Sequence, residues 1–142
     1  MDEPRDLTQE ALAEAMRRGY EIDVVAMEFL AVGEDENAWV YRVDTEDAST
    51  RYLLKVRAPT ESNEAASAVQ RYLYESGVPH VVAPLRSTTQ SLSVREGRFS
   101  LTVYPFIEGS TGVDAGLSEQ HWRALGYLVK QLHTSALPPD LM

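Results

Sequence analysis

The chain has 142 residues, 44% of them hydrophobic and 25% charged, which is the make-up of a globular domain able to bury a core. Its formal net charge of -9 argues against a dedicated nucleic-acid or anionic-membrane binder, either of which needs a basic face. The absence of cysteine excludes disulfides, thiolate nucleophiles and zinc–thiolate sites, and fits a reducing compartment such as the cytoplasm. No apolar run approaches the about 18 residues of a membrane span. The opening "MDEPRDLTQE" lacks the apolar centre of a signal peptide.

In chain order, Thr8 is placed to cap a first helix over "TQEALAEAMRRGY". Leu7, Ala11, Leu12, Ala15 and Met16 recur at helical spacing, Arg17 and Arg18 suit its C-terminal end, and Gly19 is expected to stop it. "DVVAMEFLAVG" reads as a strand ending at Gly33, and "EDEN" as a turn. "AWVYRVD" and "RYLLKVR" alternate as the second and third strands of an antiparallel meander. A helix is predicted from Pro59 and Thr60 to about Ser76, with Ala65, Ala68, Val69, Tyr72 and Leu73 as its apolar stripe. "HVVAPL" reads as a short strand. "QSLSVRE" and "RFSLTVY" flank Glu96-Gly97 as a hairpin. "PFIEGSTGVDAG" is a linker, and a last helix starts at Ser118 with Trp122, Leu125, Leu128, Val129 and Leu132 on one face. The expected class is α+β: a five-stranded antiparallel sheet, one helix between strands three and four, and a C-terminal helix.

Within that order, four features form a chemical pattern. A strand–turn–strand contains Gly33, and Lys55 sits in the middle of the next strand. Glu61 and Glu64 begin the following helix, and a later apolar strand runs into "VYPFIEG". This is the layout of a kinase small lobe, in which backbone amides cover nucleotide phosphates and a strand lysine neutralises them. The segments "VGEDENAWVYRV", "YLLKVR", "AVQRYLYESGVPHVVAPL", "LTVYPFIEGSTG" and "LGYLVKQLH", in that order over nearly the whole chain, resemble the N-terminal lobe of the aminoglycoside phosphotransferase family. Within the family they are most similar to the spectinomycin phosphotransferase type.

The resemblance implies ATP as cofactor, with Lys55 as the phosphate-contacting lysine and the loop from Gly33 to Ala38 as the phosphate cover. Glu64 is implied as the acid that orients Lys55; a helical wheel favours Glu61 instead. Tyr104 falls at the back of the adenine pocket. Pro105 would offer its C=O, and Ile107 its N–H, to the adenine edge. The loop carries one glycine and three carboxylates, Glu34, Asp35 and Glu36, which repel phosphate unless they turn outward.

The histidine–aspartate–asparagine pattern of the family's catalytic loop does not occur near His80, His121 or His133. The expectation is therefore a nucleotide-binding small lobe over residues 1–107, followed by a hinge and the first helix of a truncated large lobe over 108–142. No catalytic or metal-ligating residue is assigned; Mg²⁺ would enter with a large lobe, as would the small-molecule hydroxyl acceptor. By this reading the chain alone does not catalyse transfer. Glu108 and Asp114 are candidates to approach ribose or substrate.

A plainer reading stands beside this one. Lys55 alone would be an ordinary lysine on a solvated strand face. The glutamates would favour a helix N-terminus through its dipole, and Tyr104 and Phe106 would be core. The alternative function is a non-catalytic binding or regulatory module with the same fold, associating as a homodimer through its C-terminal helix. An unrelated α+β domain would show a different strand order.

Overall fold

The computed structural model describes residues 2–32, 36–58 and 64–141. Helix α1, Gln9–Tyr20, begins as expected: Thr8 Oγ1 accepts the Ala11 N–H at 3.1 Å. It does not stop at Gly19. The helix runs on to Tyr20 and turns at Glu21, whose φ of 55° is left-handed and whose N–H bonds to the Arg17 carbonyl at 3.0 Å. Gly19 has a packing role instead. A Cβ there would lie 2.9 Å from Val94 Cγ1, and its carbonyl accepts the Thr88 N–H at 2.8 Å. Its missing side chain lets α1 approach the far edge of the sheet.

Strands β1 (Ala26–Leu30), β2 (Ala38–Asp44), β3 (Arg51–Arg57), β4 (Val94–Glu96) and β5 (Phe99–Pro105) form one antiparallel sheet in the order β1-β2-β3-β5-β4. This is the arrangement the sequence predicts, with the crossover after β3. Alternation gives the sheet two different faces. Tyr41, Val43, Leu54, Val56, Phe99, Leu101 and Val103 pack with Leu12, Ala15 and Met16 of α1 in a single buried cluster. Each large side chain buried this fully stabilises the fold by roughly 1.5–3 kcal/mol. Trp39 meets Phe99 edge to face, with ring centroids 5.8 Å apart. The opposite face carries Val40, Arg42, Leu53, Lys55, Thr102 and Tyr104, in register across the three central strands. The core is therefore finished on one side, and Lys55 belongs to the other.

Helix α2, Glu64–Glu75, follows β3. Its predicted stripe is only half-buried at Ala68, Val69, Tyr72 and Leu73, and exposed at Ala65; the one buried residue is Ser67. The reason is position. The helix lies outside the core cluster, reaches the cleft face through Gln70, and touches the 3₁₀ turn Pro139–Leu141 near the C-terminus. The segment "HVVAPL" is not a strand. It makes one ladder-like bond, Leu85 N–H to the Val103 carbonyl at 2.8 Å.

Strand β4 is shorter than predicted because Ser87 organises a turn ahead of it. Its Oγ accepts the Ser91 N–H at 3.1 Å, its N–H reaches the Ser91 carbonyl at 2.7 Å, and Gln90 takes a φ of 65°. The Glu96-Gly97 hairpin forms as expected, with Glu96 opposite Phe99.

Beyond β5 the linker holds a short helix, α3 (Gly112–Ala115), that the sequence reading missed. Helix α4, Glu119–Thr134, starts where predicted, with Ser118 and His121 forming a reciprocal cap. Its expected apolar face is uncovered: Trp122 is 59% exposed, and Leu125, Val129 and Leu132 are exposed with it. No helix among the described residues is long and apolar enough to cross a membrane.

Candidate functional site

The free face of the sheet becomes a site where β3, β5 and α2 converge. A cleft of about 370 Å³ is lined by Leu53, Lys55, Gln70, Val82, Tyr104, Pro105, Phe106 and Ile107. Its volume is at the lower end of small-molecule sites, roughly 300–1,000 Å³. Four residues predicted from sequence, Lys55, Tyr104, Pro105 and Ile107, line this one cleft.

Each is placed by a simple local cause. Lys55 is half-buried at the centre of β3, opposite Val40 on β2 and Thr102 on β5, so the sheet holds its stem on both sides. Leu53, two residues earlier, necessarily shares its face. Tyr104 pairs with Leu53 across the ladder, and its hydroxyl donates to Gln70 Oε1 at 3.4 Å. Burial pushes its phenol pKa up, while the Ser67 hydroxyl and the Arg57 charge act in the opposite direction. The back of the cleft is thus closed by a neutral tyrosine joined to α2.

The backbone of the β5 exit is poised to bind. Phe106 N–H bonds to the Arg51 carbonyl at 3.1 Å, which makes Arg51 and Phe106 a hydrogen-bonded pair. In an antiparallel ladder the neighbouring pair, Tyr52 and Pro105, is then non-hydrogen-bonded, and the Pro105 C=O points away from β3. Val103 has the same phase, and its outward carbonyl is the one taken by Leu85. Proline fits at 105 because its nitrogen also points outward, where the ladder needs no donor. The Ile107 amide has no hydrogen-bond partner among the described residues. One outward carbonyl and one unpaired N–H, two residues apart, can engage the acceptor–donor edge of a planar heterocycle.

The acidic assignment is less simple. Glu64 is exposed at the first residue of α2, and it makes no ion pair with a described residue, Lys55 included. Glu61 and Gly33 lie outside the described residues, as do Glu34 and Asp35. The ribose candidates are both engaged locally. Glu108 pairs with Arg51 at 2.7 Å, and Asp114 accepts from the Thr111 hydroxyl at 2.7 Å within the cap of α3.

Sequence reasoning did not single out Leu53, Gln70, Val82 or Phe106 as cleft residues. Leu53 and Phe106 were within reach of it, the first by alternation with Lys55 and the second by adjacency to Pro105. Gln70 and Val82 arrive on a helix and a coil whose approach only tertiary structure reveals.

No protein-family model matches the chain, and no curated protein matches it. Solved structures do. The structure of spectinomycin phosphotransferase in complex with ADP and spectinomycin superposes with a TM-score of 0.85 at 25% identity, covering 96% of this chain and 41% of that one. Its AMP-bound complex gives a TM-score of 0.79 at 23% identity over 95% of this chain and 40% of that one. An aminoglycoside phosphotransferase from Alicyclobacillus acidocaldarius gives 0.50 at 16% identity over 76% of this chain and 29% of that one. The chain spans about two fifths of the length of the spectinomycin enzyme. Its architecture is the kinase-like fold of the aminoglycoside phosphotransferases.

Proposed function

We propose that this chain is the nucleotide-binding lobe of an ATP-dependent O-phosphotransferase acting on a small aminocyclitol- or aminoglycoside-type hydroxyl. The observation that carries the proposal is the convergence of Lys55 with the outward Pro105 carbonyl and the unpaired Ile107 amide in one cleft. Lys55 neutralises phosphate charge, and the Pro105–Ile107 backbone reads adenine. Tyr104 closes the pocket behind the base, and the loop after Gly33 covers the phosphates. Glu64, or Glu61 in its place, orients the lysine. The ADP and AMP bound to the spectinomycin enzyme support the nucleotide class.

Phosphoryl transfer needs a positioned base and metal ligands. The sequence has no catalytic-loop pattern, and Mg²⁺ would be held together with a large lobe. The chain's share of the reaction is nucleotide positioning, with transfer and acceptor binding left to a large lobe. A cysteine-free, acidic chain of this kind suits the cytoplasm.

The test is calorimetric titration of ADP and ATP into the chain and into Lys55→Met. Binding weakened at least tenfold by the substitution is expected. Equal binding by both proteins would remove the phosphate role of Lys55, and no binding by either would remove the nucleotide assignment.

One observation favours the second reading, a self-associating module. Trp122, Leu125, Val129 and Leu132 leave an apolar face on α4 open. The net charge of -9 opposes pairing of two copies. Sedimentation at low and high salt separates the readings: a dimer lost in Leu125→Glu supports the module, and a monomer throughout supports the lobe.

A further inference from the structure

We infer that Arg51 is a positioning residue for the base-reading backbone, acting through Glu108; this rests on the nucleotide reading above. Arg51 binds the β5 exit on both sides of Ile107. Its carbonyl accepts the Phe106 N–H at 3.1 Å, and its guanidinium Nη1 meets Glu108 Oε1 at 2.7 Å. The Ile107 amide therefore sits in a two-residue span tied at each end to one residue of β3. Arg51 is itself anchored. Its Nε lies 3.2 Å from Asp44, which lies 3.4 Å from Arg42, which in turn lies 3.0 Å from Glu28. This chain of alternating charges crosses from β1 to the linker on the face that carries Lys55. A run of coupled pairs holds geometry better than one isolated exposed pair. Glu108 is accordingly a brace, and the ribose contact considered for it is displaced.

The brace serves the base and not the phosphates, so its loss has a selective signature. Glu108→Gln and Arg51→Gln, in the full 142-residue chain, are each expected to weaken ADP binding about two- to fivefold, the range set by exposed ion pairs. Binding of tripolyphosphate, which has no base, is expected to stay unchanged. Amide exchange at Phe106, whose N–H bonds to the Arg51 carbonyl, should quicken in both variants without nucleotide. The double variant should be no worse than either single one, since both break the same contact. Equal losses for ADP and tripolyphosphate, or unchanged exchange at Phe106, would overturn the brace. If the unsubstituted chain binds no ADP, the nucleotide reading fails by itself. Exchange at Phe106 then still decides the brace: faster exchange in both variants sustains it, and unaltered exchange ends it.

Discussion

The Tyr104 hydroxyl donates to Gln70 Oε1 across 3.4 Å, and this contact joins the last central strand to the crossover helix. Tyr104→Phe keeps the ring that closes the cleft and removes the link. A long neutral hydrogen bond contributes little, so the expected loss is about 0.5–1 kcal/mol in urea unfolding. Gln70→Ala should cost a similar amount, and the double variant less than the sum. Additive losses would show that the two side chains do not act together.

Much of this architecture can be read from the residues in order. Alternation in "AWVYRVD" and "RYLLKVR" assigns Tyr41, Val43, Leu54 and Val56 to the core and Lys55 to the other face, as the structure has it. Period-2 patterns are legible because one buried face forces them. The site was legible where it lies on those strands or at their exits: Lys55, Tyr104, Pro105 and Ile107 line one cleft. What failed was decided by tertiary contact. Gly19 resembles a helix stop but meets Val94, "HVVAPL" resembles a strand but finds only the Val103 carbonyl, and a Ser87-centred turn consumes the start of β4. The stripe of α2 resembles a core face, yet the core is completed by α1 on the opposite side of the sheet.

Gly19 against Val94 makes a second testable pair. In an exposed helix, glycine to alanine gains about 1 kcal/mol of propensity. Here the new Cβ would sit 2.9 Å from a γ-carbon of a β-branched side chain with little rotameric freedom. Gly19→Ala is therefore expected to destabilise by about 1–3 kcal/mol through overpacking. Adding Val94→Ala should recover part of that loss. A stabilised single variant would mean that the helix and β4 separate easily.

Thr8 is the local signal for the start of α1, the helix that completes the core. Its Oγ1 accepts the Ala11 N–H at 3.1 Å from an exposed position, so substitution removes the cap without opening a cavity. Thr8→Ala should cost about 0.5–2 kcal/mol, and Thr8→Ser or Thr8→Asp should retain most of the stability. Thermal unfolding of the three variants checks the order. Equal losses in all three would point to the threonine methyl and not to the cap.

Tyr20 predicts how the fold responds to alkali. Burial pushes its phenol up to about 12, with the Tyr104 charge adding to the effect and a Val103 backbone hydrogen bond opposing it. The hydroxyl points to the Leu101 carbonyl at 3.5 Å, which suits the protonated form. The sign follows from linkage. The unfolded chain releases this proton near its ordinary value of 10.0, the folded chain only near 12, so the unfolded state holds fewer protons between those values. Stability from this group is complete below pH 10 and falls as pH rises toward 12. Urea unfolding at pH 8, 10 and 11 should show the decline, and Tyr20→Phe should make it shallower. It should not abolish it, because burial raises the Tyr41 and Tyr104 phenols too. An identical slope in Tyr20→Phe would mean that the Tyr20 ring is wet in the folded protein.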